Sequence, residues 1–366
     1  MRFQAAVLHA VDRPLVVEEV ELPQPGPGEV LVRNRASGLC HTDLEVIEGR
    51  MGYPFPIVLG HEGSGIVEAV GDGVTRVRPG DAVVASWNPH CGHCFYCERD
   101  EPVLCEPFRK HQPAGLMLDG STRLSLRGGR LHHFGVVSSH AQFSMVPESG
   151  AIAIPREMPL DRACLLGCGV MTGVGAVVRL ARLLPGSTMA VIGCGAVGLN
   201  VIQGAKIASA GMVVAADVSD DKLRVARLFG ADVGIDASAP DAVERLRSMT
   251  QGRGPDYVFE AAGHERAFRL AMEVVRPGGQ VVFLGKVNVN QEVAFRWGSL
   301  MGEKRIVRSS YGGARPNRDF PMLAKAYLEG RLELDAYVTR RLKLDEINEG
   351  FDDLRAGRGI RSVIQF

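Results

Sequence analysis

The second half of the chain alternates short apolar runs with longer segments in which apolar residues recur at helical spacing. Alternating strands and helices of this length favour a parallel, doubly wound sheet, which places this part of the chain in the α/β class. The apolar runs predict strands at 188–192, 213–216, 257–260 and 280–284. The longer segments predict helices at 199–210, 222–229, 239–249 and 264–275.

The first half has a different pattern, with short Val-rich runs at 29–33 and 65–70 between frequent Pro-Gly and Gly-Asp turns. This pattern is typical of a β-rich domain. After residue 310 the chain predicts two more helices and a final strand, and we expect this tail to return to the first domain. The predicted domains are residues 1–169, 170–310 and the returning tail 311–366.

Length, composition and charge exclude several other classes of protein. The 366 residues suffice for two domains, and 23% charged with 46% hydrophobic residues is an ordinary globular mixture. Lys+Arg and Asp+Glu both total 42, so a basic nucleic-acid-binding protein is not expected. The longest uncharged apolar run, 163–178, contains four glycines and is shorter than the ~20 residues of a membrane span. No signal peptide is expected, and the predicted compartment is the cytoplasm, where thiols stay reduced.

Half of the eight cysteines fall within fifteen residues, in the segment 88–107. Four thiolates at such short spacing are typical of a tetrahedral structural zinc site, and the surrounding proline and glycine residues favour a loop. The alternative is a set of unpaired or disulfide-linked thiols. A closed four-thiolate site has no open coordination position, so chemistry is expected elsewhere. The four residues are Cys91, Cys94, Cys97 and Cys105.

A second candidate metal site combines Cys40, His61 and Cys168. Two cysteines and one histidine with an open fourth position form a known catalytic zinc arrangement. These residues are separated by 21 and 107 positions, and any globular protein has stray cysteines and histidines. Spacing alone therefore leaves both interpretations open.

A glycine-rich turn follows the predicted strand 188–192. Gly193, Gly195 and Gly198 fit the fingerprint in which glycines allow a tight turn, close backbone approach to a pyrophosphate and close helix–strand packing. The following helix would offer free N–H groups to phosphate oxygens. Asp217, 19 residues past Gly198, ends the next strand, where a carboxylate binds the ribose 2′-hydroxyl and disfavours a 2′-phosphate. The sequence therefore predicts NAD rather than NADP; the alternative is an incidental glycine turn.

Over essentially its whole length the chain resembles the zinc-dependent medium-chain alcohol dehydrogenases. The resemblance rests on the motif Gly60-His61-Glu62-Gly63-x-Gly65, the four-cysteine segment and the glycine fingerprint. It implies a GroES-like β-rich domain with a Rossmann domain, and an active site in the cleft between them. It also implies two zinc ions per chain, with Cys40, His61 and Cys168 as ligands of the catalytic one.

The resemblance implies roles for residues near the catalytic zinc. Thr42 matches the hydroxyl position that contacts the substrate oxygen. Glu62 and Asp43 match acidic groups near the metal, although Asp43 could simply cap a loop. Many family members carry a histidine that ends a proton relay at the position of Glu45, so the relay beyond Thr42 stays open.

Coenzyme and substrate positions follow in the same way. The resemblance places Val197 and Thr172 at the nicotinamide ring, His41 and Arg361 at the pyrophosphate, Lys222 at the adenosine ribose, Trp87 and Phe134 in the substrate channel, and Arg109 at the carboxylate of a glutathione adduct. Lys222 could instead be a solvated helix residue, Trp87 and Phe134 could be core residues, and Arg109 could be a surface arginine.

The activity implied is oxidation of a primary or aromatic alcohol by hydride transfer to NAD. A glutathione-dependent formaldehyde dehydrogenase is an alternative, but the acidic pair of that class is missing from the segment 48–53. A nicotinoprotein with permanently bound NAD and a non-catalytic NAD-binding protein are further alternatives. The distance of 63 positions from Cys105 to Cys168 resembles the long loop of dimeric members, so we expect a homodimer joined near 281–308.

Overall fold

The computed structural model describes residues 1–366. They form two compact units: a discontinuous unit, Met1–Cys168 with Arg315–Phe366, and a central unit, Gly169–Ala314. In chain order the strands are β1 (Arg2–Leu8), β2 (Val16–Glu21), β3 (Glu29–Gly38), β4 (Ile57–Val58), β5 (Glu62–Val70), β6 (Ala82–Ala85), β7 (Ser125–Leu126), β8 (Gly129–Arg130), β9 (His132–His133), β10 (Phe143–Pro147), β11 (Ala151–Ala153), β12 (Thr188–Ile192), β13 (Met212–Asp217), β14 (Val233–Asp236), β15 (Tyr257–Glu260), β16 (Gln280–Phe283), β17 (Arg305–Arg308), β18 (Val338–Leu342) and β19 (Arg361–Gln365).

Ten α-helices accompany the strands, together with short 3-10 turns. A six-residue π-helix, Ala176–Ala181, directly follows the fourth α-helix. The helices are α1 (His41–Ile47), α2 (Glu106–His111), α3 (Leu160–Ala163), α4 (Gly169–Gly175), α5 (Ala196–Ile207), α6 (Asp220–Leu228), α7 (Ala242–Ser248), α8 (Glu265–Val274), α9 (Pro316–Leu328) and α10 (Ile347–Arg355).

The discontinuous unit contains two sheets, which confirms the β-rich pattern of the first half. One has the order β8-β7-β2-β1-β4-β9, and the other has the order β11-β6-β5-β3-β19-β18 with β10 also paired to β3. The tail joins this unit because β19 pairs antiparallel with β3, with Val363 opposite Gly38. Its apolar side chains Phe351 and Ile364 lie in the same core cluster as Leu44. Burial of tail and first-half residues together therefore closes this unit.

The central unit confirms the predicted doubly wound parallel sheet. Its strand order is β14-β13-β12-β15-β16-β17, and every neighbouring pair is parallel. The inner strands are almost wholly buried, as expected for strands covered on both faces. The strand order reverses between β12 and β15, which is where sheets of this kind bind ligands.

Most predicted elements of the central unit are confirmed, and two strands were not predicted. The strand 188–192 has the predicted bounds, and α5 begins at Ala196, three residues earlier than predicted. The missed strands are β14, which is partly exposed and contains a glycine, and β17, an exposed Arg-Ile-Val-Arg edge. The unit boundaries fall after Cys168 and Ala314, whereas the sequence predicted boundaries after 169 and 310.

No single helix combines the length and apolarity needed to cross a bilayer. The consecutive segments Leu160–Gly167 and Gly169–Ala181 meet those criteria only when taken together.

Candidate functional site

The four clustered cysteines converge on one point of the discontinuous unit. Their sulfur atoms all lie within 4.8 Å of one another. Backbone N–H groups point at the sulfurs: Cys91 N–H donates to Cys105 Sγ at 3.3 Å, and Glu106 N–H donates to Cys94 Sγ at 3.5 Å. Burial opposes ionisation of Cys94, but the Glu106 and Cys97 backbone groups lower the pKa of its thiol to about 6. Four sulfurs with amide donors fit a tetrahedral zinc ion.

A second cluster brings together the residues predicted for the catalytic metal. Ligand atoms of Cys40, His61, Glu62 and Cys168 lie within 4.8 Å of one another. Cys40 directly precedes α1, His61 directly precedes β5, Glu62 begins β5, and Cys168 follows a 3-10 turn. Sequence reasoning placed Glu62 near the metal, whereas the structure places its carboxylate among the candidate ligands themselves.

Asp43 fixes two of these candidate ligands. Its Oδ2 accepts the backbone N–H of Cys40 at 3.1 Å, and its Oδ1 lies 3.2 Å from Nδ1 of His61 and accepts the N–H of Gly60 at 3.0 Å. Engagement of Nδ1 leaves Nε2 of His61 for the cluster. Burial alone would lower the pKa of His61, but the charges of Asp43 and Cys40 raise it well above its usual range. Such a carboxylate–imidazole pair is the usual support of a metal-binding histidine.

The fourth member, Glu62, is fully buried beside Arg361. Arg361 Nη2 lies 3.4 Å from Glu62 Oε1 and 3.7 Å from Cys40 Sγ. Burial raises the pKa of Glu62 to about 7, against the Arg361 charge. Oε2 of Glu62 is buried without a hydrogen-bond partner. It lies 2.2 Å from the position of a side-chain carbon at Gly38, so only glycine leaves room for it.

The two thiols of this cluster cannot both ionise without a cation. The hydrogen bond between them lowers the pKa of Cys40 well below its usual range, and the Arg361 charge adds to this effect against burial. The same contact with Cys40 raises the pKa of Cys168 well above its usual range. Two sulfurs, an imidazole nitrogen and an unpartnered carboxylate oxygen form a donor set that suits Zn²⁺. The residues present therefore fit the metal.

The structure places the other predicted substrate residues around this cluster with different exposure. Thr42 is partly exposed, and its Oγ1 lies 3.8 Å from Cys40 Sγ. Phe134 is 2% exposed, and its ring centroid lies 5.4 Å from that of His61 in an edge-on contact. Trp87 is partly buried against Phe108, 6.1 Å away. The burial of Phe134 agrees with the core-packing alternative.

Two further residues lie in the helices of this unit. Arg109 is exposed on α2, and Glu45 is partly buried on α1. The exposure of Arg109 leaves both the surface-arginine and the anion-binding interpretations open.

The glycine turn of the central unit is shaped by close backbone contacts. Gly193 has a φ of 95°, and a side-chain carbon there would lie 2.6 Å from Ala262 N. A side-chain carbon at Gly198 would lie 1.9 Å from the carbonyl oxygen of Gly193. At Gly195, by contrast, nothing lies within 4 Å. Two glycines are thus required by packing, while the third faces open space of the kind a pyrophosphate needs.

Asp217 ends β13 and is tied to this turn. Its Oδ2 accepts the N–H of Cys194 at 2.7 Å, and its Oδ1 accepts the N–H of Ser219 at 3.0 Å. Val218, directly after it, is 72% exposed, which is unusual for a large apolar residue. Sequence reasoning did not select Val218; its position between an acidic strand end and a helix cap was the available signal.

The remaining coenzyme candidates differ in exposure. In the central unit, Lys222 is exposed on α6, while Thr172 and Val197 are partly buried on α4 and α5. In the discontinuous unit, His41 is exposed at the start of α1, and Arg361 is 4% exposed in β19. Partial desolvation and the Arg361 charge lower the pKa of His41.

Comparison with known proteins gives matches along the whole chain. Residues 26–156 match the alcohol dehydrogenase GroES-like domain, and residues 196–329 match the zinc-binding dehydrogenase domain. The chain is 40% identical over 369 residues to alcohol dehydrogenase class-3 of Myxine glutinosa, covering 99% of this chain and 97% of the relative. It is 38% identical to S-(hydroxymethyl)glutathione dehydrogenase of Escherichia coli O1:K1, covering both chains fully. Benzyl alcohol dehydrogenase from Acinetobacter calcoaceticus superimposes with a TM-score of 0.95 at 30% identity, covering 100% and 99% of the two chains.

Proposed function

Because the chain belongs to the zinc-dependent medium-chain alcohol dehydrogenases, we propose that it oxidises a primary or aromatic alcohol to the aldehyde with NAD. The observation that carries this proposal is the convergence of Cys40, His61, Glu62 and Cys168 within 4.8 Å. Two thiolates, an imidazole and one further oxygen form a site that can exchange a ligand, unlike the closed four-cysteine site.

The residues of this cluster have separate proposed roles in holding the metal, orienting its ligands and balancing their charge. When bound, zinc supplies a Lewis acid for the alcohol oxygen, and NAD supplies the hydride acceptor. Cys40, His61 and Cys168 would hold the metal. Asp43 orients His61 through Nδ1 and Cys40 through its backbone N–H. Arg361 balances the charge of the thiolates and of Glu62 in a buried setting, where an unpaired charge is costly.

Thr42 is the proposed first acceptor of the alcohol proton. Its hydroxyl lies 3.8 Å from Cys40 Sγ and is partly exposed, so it can contact both a ligand on the cluster and solvent. Beyond Thr42 the proton would leave through the coenzyme ribose and water or through Glu45. A carboxylate at position 45 has a lower reference pKa than histidine, which makes it a weaker base for this step.

The proposed coenzyme contacts follow the carboxyl edge of the central sheet. Gly195 would face the pyrophosphate, and Asp217 would accept the ribose hydroxyls, which favours NAD over NADP. The exposed Val218 would cover the adenine ring. By resemblance, Val197 and Thr172 would contact the nicotinamide, Lys222 the adenosine ribose, and His41 with Arg361 the pyrophosphate.

The substrate assignment rests on the aromatic residues. Trp87 and Phe134 lie beside His61, since a side-chain carbon at Gly135 would contact both Trp87 and His61. Trp87 is only partly buried, so its flat apolar ring could contact an aromatic or a longer aliphatic alcohol, while the buried Phe134 would support the site from the core. The similarity to a benzyl alcohol dehydrogenase agrees with this assignment.

A second candidate substrate is the adduct of formaldehyde and glutathione. The 38% identical relative is named S-(hydroxymethyl)glutathione dehydrogenase, and the exposed Arg109 could bind a carboxylate of the adduct. Against it, the acidic pair of that class is missing from the segment 48–53, which contains Arg50. Arg50 is exposed and paired with Glu48.

We further propose a cytoplasmic homodimer. None of the eight cysteines is in a disulfide, the two zinc sites require six of them as thiols, and the cytoplasm would keep them reduced. The edge strand β17 has Ile306 46% exposed, and Trp297 nearby in the chain is 77% exposed. An unpaired edge with exposed apolar residues favours sheet pairing between two copies.

The test measures NADH formation by zinc-replete protein with NAD and an alcohol series from ethanol to benzyl alcohol. Formaldehyde with glutathione forms a separate arm, run also with Arg109→Gln and the exposed Arg130→Gln as its control. Turnover of alcohols alone supports the proposal. Turnover only with glutathione, lost in Arg109→Gln but kept in Arg130→Gln, would replace it with the second candidate. No turnover with either, at full zinc content, would contradict both.

A further inference from the structure

A buried carboxylate stands at the point where the central sheet reverses its strand order. Glu260 is the last residue of β15. Its paired residue on the neighbouring strand β12 is Ile192, which directly precedes Gly193. The next residue, Ala261, donates its N–H to the Ile192 carbonyl at 2.8 Å. Glu260 therefore lies directly behind the glycine turn, although it is not part of the fingerprint.

The carboxylate of Glu260 organises the turn that follows β15. Oε1 accepts the N–H of Ala262 at 2.9 Å and the N–H of Gly263 at 2.7 Å. The backbone carbonyl of Glu260 accepts the N–H groups of Leu284 at 2.8 Å and Gly285 at 3.0 Å, which ties in the segment after β16. Glu260 is 0% exposed, and its Oε2 has no hydrogen-bond partner. Glu260 thus contacts two loops at the carboxyl edge of the sheet, one through its carboxylate and the other through its backbone carbonyl.

The Ala262–Gly263 turn lies in close contact with the glycine turn at Gly193. A side-chain carbon at Gly193 would lie 2.6 Å from Ala262 N and 2.8 Å from the Ala261 carbonyl carbon. A side-chain carbon at Gly285 would lie 2.2 Å from Gly263 N and 2.5 Å from Glu260 Oε2. These segments are in close contact, so a shift of the Ala262–Gly263 backbone towards the glycine turn would displace Gly193.

We propose that Glu260 is a positioning residue of the coenzyme site, whose ionised carboxylate holds the Ala262–Gly263 turn and through it the backbone of Gly193. This inference rests on the coenzyme assignment of the proposed function. It adds a residue that acts on NAD through the turn, without contact to the reacting atoms.

The ionisation of Glu260 falls in the neutral range. Burial raises the pKa of Glu260 to about 7, although several backbone N–H groups favour the anion. The charged group that interacts with Glu260 is Arg308. Burial lowers the pKa of Arg308, and the charge of Glu260 offsets only part of this effect. His264 uses Nδ1 to accept the N–H of Arg266, and Lys286 places its backbone oxygen next to Gly263. Below about pH 7 the carboxyl is protonated and its acceptor strength falls, so coenzyme binding should weaken as the pH drops.

The experiment is fluorescence titration of the zinc-replete protein with NADH between pH 5.5 and 8.5. The variants are Glu260→Gln and, as a matched control, the exposed Glu244→Gln on α7. Gln can still accept both N–H groups but without the negative charge, and loss of the charge assistance of two hydrogen bonds predicts about 10-fold weaker NADH binding in Glu260→Gln at pH 8. The same variant should lose the pH dependence near 7 that the wild type and Glu244→Gln share. Zinc content and melting temperature are measured alongside.

Each result decides the inference. The inference on Glu260 would be overturned by a wild-type pH profile of NADH affinity without an inflection near pH 7, or by a Glu260→Gln profile equal to that of Glu244→Gln. Neither result would contradict the proposed alcohol oxidation. If Glu260→Gln does not fold, Glu260→Asp decides: a weaker affinity with the inflection retained supports the inference, and an unchanged affinity overturns it. A wild type that does not bind NADH at all would contradict the proposed function and the inference with it.

Discussion

The imidazole Nδ1 of His61 lies 3.2 Å from Oδ1 of Asp43, and the other oxygen of the same carboxylate accepts the N–H of Cys40. One buried side chain, 0% exposed, thereby sets the direction of two candidate metal ligands from two different elements. The rigidity of the site depends on this contact as much as on the ligands.

Asp43→Asn tests this dependence. The amide keeps the size of the side chain but removes the charge that supports His61. Zinc should therefore bind roughly 10- to 100-fold more weakly, as is typical when a residue that hydrogen-bonds to a metal ligand is replaced. The measurement is the rate of zinc transfer to a chelator, with the exposed Asp72→Asn as the control. Equal rates in the two variants would show that Asp43 only caps α1.

Cys97→Ser should remove the metal of the four-cysteine site alone. The structure contains two separate ligand clusters, so zinc content should fall from two ions per chain to one. Because a structural zinc contributes directly to folding, the melting temperature should also fall. Cys164→Ala, a buried cysteine outside both clusters, is the control and should keep both metals. Two zinc ions in purified Cys97→Ser would contradict the assignment.

The glycine turn allows a paired test. Gly195→Ala should leave the melting temperature nearly unchanged but weaken NADH binding, because its new methyl group would project into open space. Gly198→Ala should lower the melting temperature by about 5 °C, because the methyl group would collide with the Gly193 carbonyl. Thermal unfolding and NADH titration separate the two effects. Equal melting temperatures for the two variants would refute the packing argument.

Asp217→Asn should shift coenzyme preference. The amide oxygen can still accept the N–H of Cys194, so the glycine turn is kept, while the N–H of Ser219 loses its acceptor and the charge that disfavours a 2′-phosphate is lost. We expect the ratio of kcat/KM for NADP to that for NAD to rise at least about 10-fold, as for loss of one charge-assisted contact. The exposed Asp220→Asn is the control. An unchanged ratio would mean that Asp217 serves only the turn.

His133 makes the fold sensitive to acid. Burial lowers the pKa of His133 to about 3 from a usual value of 6.5, and the nearby Arg123 charge adds to this shift. The unfolded chain therefore binds a proton that the fold does not, and stability present in full above pH 6.5 is lost as the pH falls towards 3. The loss amounts to about 1.4 kcal/mol per pH unit below the unfolded value.

The matching variant is His133→Gln, which keeps an acceptor for the N–H of Arg123. Its denaturant midpoint should fall less steeply than that of the wild type between pH 6.5 and 4.5. The exposed His93→Gln serves as the comparison. Parallel pH profiles for wild type and His133→Gln would exclude the proposed cause.

The central unit could be predicted from local pattern because its strands are buried and bounded by turn residues. The strand 188–192 ends at Gly193, and both its bounds are visible in the sequence. The strand β17 could not be predicted, because Arg-Ile-Val-Arg has exposed charges at both ends and forms only by pairing with β16. Local pattern thus identifies the buried interior of the sheet and misses its edge.

The candidate metal sites were predictable in part. The spacing of the four cysteines and the resemblance identified the residues of both clusters. The approach of Glu62 to the cluster depends on the space left by Gly38, and the burial of Arg361 depends on the pairing of β19 with β3. Both are long-range packing facts that no local pattern contains.

The place of Arg361 has a consequence for biosynthesis. It lies 321 residues after Cys40, so a ribosome makes both thiols and the Glu62 carboxylate long before their arginine. Cys40 and the Glu62 carboxylate therefore gain this buried cation only after β19 has been made and has paired with β3. A chain shortened before β19 would leave Cys40 and Glu62 buried or half-formed without their neighbouring positive charge.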